Sequence, residues 1–173
     1  MLGLKHGLNL LVDYDPAWPA AFEDEKARIG TAVRGISLGI EHYGSTAVTG
    51  LRAKPIIDIL LGVSLLEEWT KCKVPLEELG YDYAQHAGVP GHYIFGRGRD
   101  RSERTHLVHI VEYDGESWRS NLAFREALRA DEALRAAYLR MKEQAVVLMP
   151  DGRARYNELK QRFFKELERR RLV

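Results

Sequence analysis

The chain has 173 residues, 45% hydrophobic and 29% charged, enough for one domain with a substantial core. Its 26 basic and 25 acidic residues leave a formal charge of +1, which excludes a global field drawing it to nucleic acid or to a membrane surface. The one cysteine, Cys72, excludes an intramolecular disulfide and a cysteine-built zinc site, and no apolar run reaches membrane-spanning length.

The opening stretch "MLGLKHGLNLLVDY" lacks a signal-peptide layout, because its apolar run is short and broken by Asn9. A soluble, cytoplasmic protein is expected. "VDYDPAWPAAFEDEKARIGTAVRG" reads as a turn and then a helix, with Pro16 and Pro19 in the first turn and Gly35 as the stop. Ile36 to Tyr43 is a strand, and Ser45 to Leu51 a short helix opened by Gly44-Ser45. Pro55 to Val63 is a near-continuous apolar run, which suits a buried central strand. Leu65 to Gly80 reads as a helix that Pro75 bends or splits. Tyr81 to Gln85, His92 to Phe95 and Thr105 to Tyr113 read as strands, with the basic loop "GRGRDRSER" between the last two. That loop is read as a solvated turn, or as a lid gripping phosphate.

After Asp114-Gly115 the pattern becomes helical, with Ser117 as N-cap, a break near Asp131, a turn at Pro150-Asp151-Gly152 and a last helix over "RARYNELKQRFFKELERRR". Its basic end reads as a solvated helix terminus, so no nucleic-acid interface is expected. Strands first and helices last predict a single α+β domain, a mixed sheet flanked by helices with a C-terminal helical layer. Tyr14, Trp18 and Trp118 read as core aromatics. Cys72 reads as structural.

The stretch "IEHYGSTAVTGLRAKPIIDILLGV" carries the chemistry. A glycine between strand and helix lets backbone approach a ligand closely. Ser45 adds a hydroxyl, and the free amides of a helix start make an anion site. Asp58 lies alone in an apolar strand, where a charge costs several kcal/mol unless it is paired or bound to metal. A phosphate cradle beside an oxygen ligand for magnesium is the minimal kit for phosphoryl or nucleotidyl transfer. The other reading is a common turn and a satisfied polar group.

The same stretch resembles the GrpB family, a branch of the nucleotidyltransferase fold. "EHYGSTAVTGLRAKPIIDI" is close to that family's His-x-Gly-Ser-Thr-x-Val-x-Gly-Leu-x-x-Lys-Pro-x-Ile-Asp-Ile signature, with Thr49 where proline is usual. "YDPAWPAAFEDEKARI", "NLAFREALRAD" and "RYNELKQRFF" resemble its opening, its Phe-Arg element and its last helix. The resemblance implies a nucleotidyltransferase-like sheet and a divalent metal, magnesium or manganese, on Asp58. It also implies a partner that is a nucleotide or another phosphate-bearing small molecule.

The sequence departs from an active enzyme of that fold in two places. Such enzymes place two carboxylates two residues apart on the strand, and the partner position of Asp58 is Leu60. The third carboxylate belongs in "RTHLVHIVEY", where no Asp or Glu precedes Glu112. The resembled family tends to show His-x-His there; Leu107 and His109 stand on those positions, so that only His109 matches, and His106 points to the other face. His109 is therefore a candidate metal ligand or general base, or a hydrogen-bonded buried histidine. Lys54 is a candidate phosphate counter-charge or a strand-end lysine. His42 either binds ligand or braces the Gly-Ser turn. Arg125 either points its guanidinium at the sheet or pairs with Glu126 or Asp131. Two functions remain open: a metal-dependent nucleotidyltransferase acting on a small molecule or protein, and a catalytically reduced module that binds a nucleotide or phosphometabolite.

Overall fold

The structure is a computed structural model and describes residues 1–85, 89–99, 102–148, 159, 162–167 and 169. The elements run β1 (Leu4–Lys5), α1 (Trp18–Ala32), β2 (Ser37–Tyr43), β3 (Ile57–Val63), α2 (Trp69–Glu78), β4 (Asp82–Tyr83), β5 (Tyr93–Arg97), β6 (Glu103–Arg104), β7 (His106–Glu112), α3 (Glu116–Ala130) and α4 (Glu132–Leu148). Five strands form one sheet in the order β2-β3-β7-β5-β4. Only β3 and β7 run parallel, so the sheet is mixed, as the α+β reading requires. β1 and β6 form a separate two-stranded ladder that the sequence patterning does not reveal.

Alternation along β3 divides the molecule into two cores. Ile57, Ile59, Leu61 and Val63 are buried against Trp18, Phe22 and Ile29 of α1 and Cys72 and Leu76 of α2. Residues two apart share a face, so Asp58 and Leu60 turn the other way. Leu60 is 0% exposed and packs with Tyr43, Val111 and Trp118. Trp118 lies close because β2 and β3 pair Gly39 with Gly62, and a Cβ on either would come within 3.0 Å of the Trp118 and Tyr113 rings. A third cluster joins Val48 and Leu51 to Phe124, Leu128, Leu134, Tyr138 and Leu167, and it holds the C-terminal helical layer on the domain.

Several expectations change. The helix expected over Ser45 to Leu51 is a single 3-10 turn, Ser45–Ala47, after which Val48 is extended. The apolar Val48 and Leu51 are drawn into the third core instead of continuing a helix. Pro75 does not split its helix: α2 runs through it, anchored by Cys72 and Leu76, after a 3-10 turn at Leu66–Glu68. Gly115, and not Ser117, caps α3. Asp131 ends α3 and accepts the Leu134 N–H at 2.9 Å at the start of α4. The Pro150-Asp151-Gly152 turn and most of the last helix lie outside the described residues, but residues 162–167 are helical. In the basic loop, Arg97 donates to Glu25 at 3.0 Å and Arg104 to Asp82 at 2.6 Å, so these two guanidiniums serve the fold.

Candidate functional site

The site forms where β2 ends. β2 and β3 are antiparallel with Tyr43 opposite Asp58, so the turn after Tyr43 falls beside the aspartate. Gly44 there has φ 73° and ψ −168°, a conformation that is essentially glycine's own. A Cβ on Gly44 would lie 2.6 Å from Asp58 Oδ2. Only a glycine lets the backbone meet that carboxylate. The Asp58 side chain keeps 31% of its exposure, so the strand delivers its charge to a rim and not into the core. The 3-10 turn that follows is too short to supply a helix dipole, and its N-cap is Gly44, which has no side chain to cap it.

The neighbouring strand supplies His109. β3 and β7 pair Leu60 with His109 and Asp58 with Leu107. His109 Nε2 lies 3.9 Å from Asp58 Oδ1, at ion-pair range but beyond a hydrogen bond. Its other nitrogen, Nδ1, is 3.2 Å from His92 Nδ1, and Tyr43 meets its ring edge-on at 5.3 Å. Burial first, and then the Asp58 charge, raise the Tyr43 pKa well above its usual value, so the phenol stays protonated. His106 takes the opposite face, 2.9 Å from Thr105 Oγ1, where burial pushes its pKa down to about 4.

The remaining candidates divide between the two faces. His42 stacks on Phe22 of α1 at 4.7 Å and lies 3.0 Å from Thr46 Oγ1, which braces the turn from the side away from Asp58. Burial, with the charges of Arg129 and Arg125, pushes its pKa down to about 4. Lys54 donates to Asn9 Oδ1 at 2.6 Å, against the N-terminal segment. Arg125 reaches from α3 to the end of β2, donating to the His42 carbonyl at 2.6 Å and to Glu41 at 2.9 Å, while its Nε pairs with Glu126. A narrow cleft beside the turn is lined by Tyr43, Gly44, Ser45, Asn121, Phe124 and Arg125, with Leu128, Tyr138 and Phe164 behind. Asp58 borders it through Gly44.

Sequence reasoning missed four contributors. Tyr43 could be found only from strand pairing. Arg129 sits one helical turn after Arg125, a spacing that puts both on one face, and it clamps the Ala47 carbonyl with two N–H groups at 2.8 and 3.1 Å. Asn121 lines the cleft one turn before Arg125. His92 stands one residue ahead of β5, and the pairing of Ile94 with His109 puts it on the His109 face, so strand pairing reveals it.

The donor set decides what metal this site fits. Among the described residues no three His, Cys, Asp or Glu side chains converge. The place of a second carboxylate is Leu60, sealed in the core. A two-metal cage therefore does not fit. A single magnesium or manganese ion does, because magnesium is commonly held by one carboxylate and the phosphates of its ligand. Asp58 would hold it; the imidazole of His109 is a poor ligand for so hard an ion.

A family model described as "GrpB protein" matches residues 10–170. The glutamate-rich protein GrpB of Alkalihalophilus pseudofirmus is 32% identical over 170 residues, covering 96% of this chain and 98% of the relative. The crystal structure of the conserved protein GrpB from Enterococcus faecalis superposes with a TM-score of 0.80 at 34% identity, over 94% of this chain and 97% of that one. A Cid1 poly(U) polymerase, solved with magnesium and 3'-dATP, matches with a TM-score of 0.52 at 12% identity, over 79% of this chain and 43% of that one, a likeness of fold alone. The protein therefore belongs to the GrpB family and carries its nucleotidyltransferase-like fold.

Proposed function

We propose that this protein is a catalytically reduced nucleotidyltransferase-fold module that binds a nucleotide, or another phosphate-bearing small molecule, at the Gly44–Asp58 turn. The observation that carries this reading is Leu60, which is 0% exposed beneath Trp118 where the second metal carboxylate of an active enzyme would stand. A two-metal displacement needs ligands on both sides of the transferred phosphorus, and one carboxylate serves one side. A divalent ion arriving with the ligand neutralises its phosphate charge. Gly44 brings backbone up to the ligand and Asp58 faces the ion. Arg125 and Arg129 hold the turn rigid.

A second reading, metal-assisted nucleotidyl transfer, is favoured by the 3.9 Å approach of His109 to Asp58. It puts an acid–base group beside the one carboxylate.

Thermal-shift measurements with nucleoside triphosphates and phosphometabolites, with and without magnesium or manganese, test the proposal. Expected is a metal-dependent rise in Tm for at least one ligand, lost in Asp58→Asn. Equal stabilisation of Asp58→Asn, or no ligand raising Tm, would end the nucleotide reading. Pyrophosphate release that Asp58→Asn abolishes would replace it with the transferase.

A further inference from the structure

His92 lies just ahead of β5, its backbone N–H donating to the Val89 carbonyl at 3.2 Å. Its ring meets that of His109 edge to face, with centroids 5.4 Å apart and planes at 87°, and the two Nδ1 atoms are 3.2 Å apart. At that distance one nitrogen must donate and the other accept, because two bare nitrogens would set lone pair against lone pair. The far nitrogen of His109, Nε2, faces Asp58 Oδ1 at 3.9 Å. A carboxylate favours a proton on the nitrogen it faces. In a neutral His109 with Nε2 protonated, Nδ1 is the acceptor, and the donor is His92.

We propose that His92 is a positioning residue of the Asp58 site: its Nδ1–H donates to His109 Nδ1 and fixes His109 as the Nε2–H tautomer turned toward Asp58. The functional meaning of this assignment rests on the reading of Asp58 as the acidic centre of the site. Tyr43 closes the other side of the His109 ring and brings no charge of its own. In this arrangement His109 offers a hydrogen-bond donor, and not a metal-binding lone pair, to whatever sits beside Asp58. The ligand group it suits is a phosphate or hydroxyl oxygen. Divalent cation and imidazole then divide the work, the cation on the carboxylate and the N–H on the ligand oxygen.

Long-range proton–nitrogen correlation spectra of the full chain at pH 8 distinguish protonated from bare ring nitrogens. The expected result is His92 as Nδ1–H, the less favoured tautomer of a free histidine, and His109 as Nε2–H. His109→Leu should return His92 to the Nε2–H form. His92→Gln, whose amide can donate to Nδ1, should keep His109 as Nε2–H, whereas His92→Leu should release it to a mixture. A wild-type His92 in the Nε2–H form, a wild-type His109 in the Nδ1–H form, or a His92 that ignores His109→Leu each overturns the assignment. Should a variant fail to fold, the wild-type spectrum alone decides. These spectra need no ligand, so they separate two failures. Correct tautomers without magnesium–ATP or other nucleotide binding sink only the nucleotide reading. Incorrect tautomers with binding intact sink only the role of His92.

Discussion

Gly44 and Gly50 both occupy the positive-φ half of backbone space, at 73° and 77°, but only Gly44 lies against another described group, the Asp58 carboxylate. The pair separates backbone strain from site geometry. Gly50→Ala should cost about 1–2 kcal/mol, the penalty of an L side chain in that region. Gly44→Ala adds a collision with Asp58 Oδ2 to a conformation that is nearly closed to other residues, and should cost roughly 1–3 kcal/mol for the backbone alone. Urea denaturation measures both. Thermal shift with magnesium and nucleotide then adds the functional contrast: Gly50→Ala should keep ligand stabilisation and Gly44→Ala should lose it. Equal retention in both would mean that the contact with Asp58 does not shape the site.

Strand β3 carries the site and the core on alternate residues, which sets what each substitution does. Leu60→Ala should cost about 2–5 kcal/mol, as for other fully buried leucines. Leu60→Asp, which restores the missing carboxylate, should be worse than Leu60→Ala, because it buries a charge under Trp118. A Leu60→Asp protein of wild-type stability with new metal affinity would instead reveal a dormant two-metal site. Helix α3 ties the end of β2 through Arg125, whose side chain is 13% exposed. Arg125→Ala leaves the His42 carbonyl and Glu41 without that donor and should cost roughly 1–3 kcal/mol. Arg125→Lys should recover only part of this, since one ammonium cannot reproduce the planar fork. Arg119, exposed and paired with exposed Asp114, is the control, and its alanine variant should show no measurable change in urea midpoint.

At the scale of the whole molecule, the α1 face of the sheet holds two neutral histidines, His42 and His106, each with its pKa pushed down to about 4, chiefly by burial. Unfolded histidine titrates near 6.5. Between those values the unfolded chain binds protons that the folded chain refuses, so stability falls as pH falls. It should be flat with respect to these groups above about pH 6.5, decline through pH 5, and level off below about pH 4, with each group contributing on the order of 3 kcal/mol across the window. Urea midpoints at pH 7.5, 6, 5 and 4 give the profile. His42→Gln, which keeps a polar partner for Thr46, should flatten its share of the slope. A profile unchanged in that variant would mean that His42 is solvated in solution.

A near-continuous apolar run was sufficient to place β3, because so short an apolar stretch suits a central strand buried on both faces. The strand reading also put Asp58 with Leu60 and His106 away from His109, since these are consequences of period two within one strand. The Gly44-Ser45 signature likewise located the turn. Tertiary structure decided the rest. Val48 and Leu51 left the helix that local pattern suggested because a third core was there to receive them. The place of the second carboxylate turned out to be sealed core because Gly39 and Gly62, far apart in the chain, let Trp118 settle over Leu60. His42 became a brace because Phe22 and Thr46 meet it on the α1 face, and His92 met His109 because β5 pairs antiparallel with β7, with Ile94 opposite His109. Local sequence sets which face a side chain takes. What waits on that face depends on pairing between distant strands and helices, where burial of apolar surface outweighs local preference.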